Sequence, residues 1–241
     1  MLVELSARFG DVAHQLREVD RLIGDHTGSL VLLSECALSG YLDENGRCDL
    51  RPFAEDAVRP GEDLTIRCSS GLASLAQIAI RTSNVIVAPC VERAGDEFFN
   101  SAVVIDSSGR ALTRYRKRHP WYPETWATPG DEPIATFEYA GRHVAIAICF
   151  DVHFLAEESP AMLAATDLLL FPSAWVDDTA ADARGPLLRE LAARFDLTIA
   201  NTNWGHGTPR VRGQGASRVV RPDGTQDVLR TTGSDVLVVT L

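Results

Sequence analysis

Lysine is nearly missing from this chain. Of its 23 basic residues only Lys117 is lysine, and the rest are arginine. A bias toward arginine accounts for the majority but not for the exception. Arginine stays protonated in proteins and carries a wide planar head, whereas the lysine ammonium is a compact point charge whose pKa moves. A site that requires a small cation explains the one position that escaped; chance survival is the plain alternative. Long apolar runs are missing as well. No stretch reaches the ~18 residues a membrane span needs. The opening MLVELSARFGDV lacks the basic region and apolar stretch of a signal peptide. A cytoplasmic protein with no membrane partner is the expectation. Paired cysteine spacings are absent: Cys36, Cys48, Cys68, Cys90 and Cys149 are scattered. An odd count without CxxC argues against a disulfide framework or a zinc knuckle, and most of the five are expected to be small buried hydrophobes. Positive charge is also short, with 33 acidic residues giving a net charge of -10. An acidic surface repels phosphate backbones, so nucleic acid is not an expected partner.

What is present suits a sizeable core: 45% of the 241 residues are hydrophobic, and no linker or low-complexity run interrupts them. A single domain over 1–241 is expected. Apolar periodicity predicts helices at 12–23, 63–81, 155–165 and 185–195. It predicts strands at 1–5, 30–33, 85–89, 102–105, 111–116, 134–138, 143–148, 167–171, 198–201, 216–220 and 236–241. Hairpins and helical crossovers both occur, which points to a layered α/β architecture with mixed strand pairing.

Three segments could carry chemistry. In LVLLSEC, a buried strand runs directly into Glu35, and active sites of α/β sheets gather at the carboxyl ends of strands. A carboxylate among apolar walls suits a general base near neutral pH; an exposed loop glutamate is the plain alternative. The Gly40-Tyr41 turn that follows could line a pocket. In RYRKRHP, Lys117 stands inside what otherwise reads as a solvated basic patch. Glu124 follows in an aromatic-rich loop, WYPETW, where it could steady Lys117 or Glu35 and Trp121 could form a wall. In HVAIAICFD, a buried strand delivers Cys149 at its end. A nearby cation and local amides would favour the thiolate there; an inert core cysteine is the commoner case.

Together these segments resemble the nitrilase superfamily of carbon–nitrogen hydrolases, in its amidase-like branch. LLSECALSGY is similar to a "PE-x-x-x-x-GY" motif, YRKRHPWYPE to "RK-x-H-L" followed by a second glutamate, and IAICFDVHF to "C-[YF]-D-x-R-F". DLLLFPSAW and GASRVVRPDG continue the likeness in order. The resemblance implies a four-layer α-β-β-α sandwich with two mixed sheets, forming a homodimer or higher homo-oligomer. It implies Cys149 as nucleophile, Glu35 as general base and acid, Lys117 as the cation at the oxyanion, and Glu124 in support. No metal or organic cofactor is implied. The departures are Ser34 for proline, His119-Pro120 for "H-L", and His153 for the usual arginine, which weakens the case for a carboxylate-bearing substrate. Phe150-Asp151 after the cysteine points to amides rather than nitriles.

The expected reaction is hydrolysis of a small-molecule amide through a thioester, with Lys117 and the Phe150 N–H at the oxyanion. Tyr41, Trp121, His153 and Trp175 are candidates for the substrate walls. A nitrilase, an acyl transferase using the same trio, and a non-catalytic binding protein on this fold remain open alternatives.

Overall fold

The computed structural model describes residues 1–68, 70–176, 182–231 and 233–241. Its elements follow from local chemistry. The helix Val12–Ile23 starts where the Asp11 side chain accepts from the His14 N–H, and Val19 and Ile23 face inward. The helix Gly71–Thr82 is capped in the same way by Ser70, and it ends at Ser83 in the left-handed region (φ 52°). The expected helix at 63–81 is shorter than its apolar pattern suggests. Asp63 caps a separate short turn, Leu64–Ile66, and Ile66 points into solvent, 74% exposed. The helix expected at 155–165 is two short ones, Leu155–Glu158 and Pro160–Ala164. Pro160 offers no N–H and disfavours helical backbone at the residue before it; Ser159 is accordingly non-helical (φ -139°).

Two mixed sheets form the interior. The first runs in the order Asp235–Leu237, Leu2–Glu4, Leu30–Leu33, Val85–Ala94, Glu97–Ile105, Ala111–Arg116. Its centre is parallel, Leu2–Glu4 beside Leu30–Leu33 beside Val85–Ala94. Asp235–Leu237 pairs antiparallel at one edge, and the short Glu55–Asp56 adds parallel to Val85–Ala94. The other edge is an antiparallel meander, in which the hairpin from Val85 to Ile105 turns at Gly95 and is longer than its apolar cores suggest. The second sheet runs Gln226–Val228, Arg218–Val220, Thr198–Thr202, Leu168–Pro172, Arg142–Ile146, Thr136–Tyr139. Leu168–Pro172 lies parallel to both of its neighbours.

Strand alternation sorts the first sheet's side chains into two layers. Val3, Val31, Leu33, Ile86 and Ala88 pack with Val19, Ile23, Leu72 and Leu75 of the two helices. Leu2, Leu32 and Val87 point the other way, against Ile146, Leu168 and Leu170 of the second sheet. The helix Arg184–Phe195 covers that sheet's far face through Leu188, Leu191 and Ala192. The result is the α-β-β-α layering. Among the described residues no helix is long and apolar enough to cross a membrane.

Candidate active site

The carboxyl ends of five strands meet at one end of the two sheets. Leu30–Leu33 runs on to Glu35, Ala111–Arg116 to Lys117, and Arg142–Ile146 to Cys149. Leu168–Pro172 leads to Ala174, and Thr198–Thr202 to Asn203 and Trp204. The lysine strand shows how alternation selects its side chains. Arg114 and Arg116 share one face, where both pair with the buried Glu92. Tyr115 and Lys117 take the other face and turn inward.

Lys117 is 1% exposed and its ammonium lies between two buried carboxylates, 2.8 Å from Glu35 Oε1 and 2.6 Å from Glu124 Oε1. Its backbone is fixed on both sides, the N–H donating to Asn100 and the carbonyl accepting from Gly130. Burial opposes the charge, but Glu35 and Glu124 outweigh it and hold the ammonium protonated well above the ordinary lysine range. An arginine could not fit its planar head into this position.

Glu35 is fully buried and saturated with donors. Oε1 accepts from Asn100 Nδ2 at 2.7 Å as well as from Lys117, and Oε2 accepts from the Ala174 N–H at 2.7 Å. Its backbone carbonyl accepts from Trp204 Nε1 at 2.7 Å. Glu124 Oε1 also accepts from the Tyr41 hydroxyl at 2.6 Å. Tyr41 follows Gly40, where any side chain would collide with the backbone of Arg8 and Phe9, and where φ is +74°. Burial lifts the Glu124 carboxyl to about 7, while Lys117 opposes the rise and Glu35 adds to it. Glu124 Oε2 is buried and has no hydrogen-bond partner among the described residues.

Cys149 occupies a left-handed backbone conformation (φ 44°), uncommon for a residue with a side chain and frequent where strain serves a site. It opens the short helix Cys149–His153. Burial and then the Glu35 charge push its thiol well above the usual range, against the opposing pull of Lys117 and the Ala174 N–H. The resting sulfur therefore holds its proton and sits where Glu35 and Lys117 both act on it.

Asp151 ties the cysteine turn to the lysine strand. Its Oδ2 accepts from the Ile148 N–H and the Tyr115 hydroxyl, at 3.1 and 2.8 Å. Its Oδ1 accepts from the N–H groups of Arg118 and His119 at 3.1 and 2.9 Å. The His119 ring bridges Asp151 and Glu158 and stacks on Phe154. The hydrogen bond to Asp151 raises its pKa, with burial opposing. Sequence reading did not single out Asn100, and it used Asp151 only as a marker of amide chemistry, not as a tie between the two segments. The aspartate stood inside the quoted cysteine motif, which was the available signal.

Other expected site residues are distributed unevenly. Tyr41 and Trp175 line a cleft beside the trio. His153 is exposed, with its ring 5.7 Å from that of Trp175. Phe150 is half-buried in the turn after Cys149. Trp121 is half-buried and is not among the cleft's walls. In its loop Tyr122 is 78% exposed, and Trp126 is the aromatic that packs inward, donating to Cys48. Trp204, buried behind Glu35, is the wall that sequence reading missed. Residues 177–181, between Trp175 and Arg184, lie outside the described residues. Among the described residues no cluster of histidine, cysteine or carboxylate side chains could hold a metal ion.

Comparison with known families decides the kinship. The family model described as carbon-nitrogen hydrolase matches residues 6–241. The chain belongs to the carbon–nitrogen hydrolase family. The hydrolase is 25% identical over 237 residues to "Hydrolase in pqqF 5'region" of Pseudomonas protegens, covering 96% of this chain and 78% of that one. It is 34% identical over 145 residues to a nitrilase of Pyrococcus abyssi, covering 60% and 51% of the two chains. The NitN amidase of Nesterenkonia sp. AN1 shares the fold, with a TM-score of 0.78 at 22% identity, over 100% of this chain and 91% of that one. Yeast Nit3, of the nitrilase superfamily, matches with a TM-score of 0.76 at 19% identity, over 97% and 86%.

Proposed function

We propose that this hydrolase is an amidase that works through Cys149, Glu35 and Lys117. The observation that carries the reading is the sole lysine, buried between Glu35 and Glu124 where a strand end also delivers a thiol. A buried charge trio is costly unless it is used or very well paired, and pKa values perturbed in this way cluster at functional sites. Small amides have solved-structure parallels in the Nesterenkonia amidase, whose variants carry acrylamide or the acetamide moiety of fluoroacetamide on the active-site cysteine.

Glu35 takes the thiol proton of Cys149 as the sulfur attacks the amide carbonyl. The new oxyanion is met by Lys117 and the N–H of Phe150; losing one such donor typically costs ~10²–10³ in rate. Glu35 returns the proton to nitrogen, the C–N bond breaks, and ammonia or an amine leaves. Glu35 then takes a proton from water, the hydroxide attacks the thioester, and the sulfur leaves with that proton. Only water is consumed beside the amide. Glu124 Oε2, which has no partner among the described residues, is left to accept an N–H of the carboxamide.

Cys149→Ala should abolish ammonia release from an amide panel, and mass spectrometry of the wild type should detect an acyl adduct on Cys149. Undiminished amide hydrolysis by the variant would overturn the reading.

A further inference from the structure

The cleft beside the trio is bounded by two groups that reach the reacting residues. Tyr41 binds Glu124, and the Ala174 N–H binds Glu35. The remaining walls include the aliphatic side chains of Leu42, Val176, Pro209 and Val211, together with Trp175 and Trp204. None of the described wall residues is charged.

Three of the polar side chains on these walls are engaged elsewhere. The Tyr41 hydroxyl donates to Glu124, and Trp204 Nε1 donates to the carbonyl of Glu35. Gln214 is closed on its own loop: Oε1 accepts from the Val211 N–H, and Nε2 donates to the Pro209 carbonyl. That loop sends Pro209, Val211 and Gln214 to the cleft, while Arg210 and Arg212 are exposed and are not among its walls. The His153 ring lies next to that of Trp175, and although the residue is exposed, partial desolvation of its ring lowers its pKa from the ordinary value.

We infer that the cleft receives the acyl part of a neutral carboxamide, an uncharged apolar chain, and rejects the same chain ending in a carboxylate or an ammonium. This inference rests on the amidase reading above. A buried ion that finds no partner is strongly disfavoured, whereas each methylene taken out of water favours binding.

The test uses two series on the intact protein. In the first, kcat/KM is measured for acetamide, butanamide, pentanamide and hexanamide, and for succinamate and 4-aminobutanamide as charged isosteres. The neutral series should rise about fourfold per methylene. Each charged isostere should fall at least about a hundredfold below pentanamide. Val211→Arg should raise the succinamate-to-pentanamide ratio at least about tenfold.

The second series measures inhibitor affinity of the matching aldehydes, whose carbonyl adds the Cys149 thiol to form a hemithioacetal without any C–N bond being broken. Hexanal should bind more tightly than propanal, and succinic semialdehyde more weakly than pentanal. Equal or better use of a charged isostere, or no gain with chain length in either series, overturns the inference. If no amide is hydrolysed but the aldehydes follow the expected order, the acyl preference stands and the amidase reading falls.

Discussion

At the scale of the residue, charge and burial set the terms. Lys117 keeps its proton because two carboxylates outweigh burial. Arginine there would keep the charge and lose the fit, so Lys117→Arg should lower kcat at least about a hundredfold, as for loss of an oxyanion donor. Circular dichroism should confirm that the variant folds, and steady-state kinetics would read the loss. Glu124 makes a pH prediction. Its carboxyl is raised from 4.5 to about 7 in the folded protein, so folding favours the protonated form. Its contribution to stability is complete below 4.5 and disappears as pH rises through about 7. The shift corresponds to about 3 kcal/mol. Comparing Tm between Glu124→Gln and wild type should show the variant gaining relative stability across that window. A difference that does not change with pH would remove the assignment.

At the scale of the element, the decisive features are strand ends and the clamp that holds two of them together. Asp151 accepts from both the lysine strand's continuation and the cysteine turn. Asp151→Asn would place two donors against a ring of donors. We expect kcat to fall at least about tenfold with KM nearly unchanged, because an ångström of misplacement is costly for reacting groups. The rate of Cys149 alkylation by iodoacetamide should change with it. Unaltered kcat and alkylation would reduce Asp151 to a structural tie with no bearing on the reacting groups.

Much of this level was legible in the sequence. The strand Leu30–Leu33, the strand Ala111–Arg116 and the helix Val12–Ile23 have the bounds their periodicity implies. The strand ends bearing Glu35, Lys117 and Cys149 could be read for the same reason. What could not be read was set by distance along the chain. Asn100 reaches Glu35 across 65 residues, and Ala174 reaches it across 139. Trp126 and Trp121 are alike in sequence context, yet one enters the core and the other does not, because the path of the loop decides it. The breaks before Gly71 and at Pro160 turned on capping and on a missing N–H, local effects that override an apolar stripe.

At the scale of the whole molecule, the site depends on the seam between the sheets. Leu32 lies in that seam, 1% exposed, three residues before Glu35. Leu32→Ala should cost about 2–5 kcal/mol, measurable as a lowered midpoint in denaturant unfolding. A variant as stable as wild type would mean that the sheets are not packed through this residue. Beyond the seam, burial and the Glu35 charge push the Cys149 thiol well above its usual range and favour its protonated form. Peroxides and disulfides attack the thiolate far more readily than the thiol. On the amidase reading proposed above, this sulfur is slow to oxidise at rest and becomes a nucleophile only as a bound carbonyl draws its proton to Glu35. On that reading, the burial that makes the thiol look inert also preserves it between turnovers.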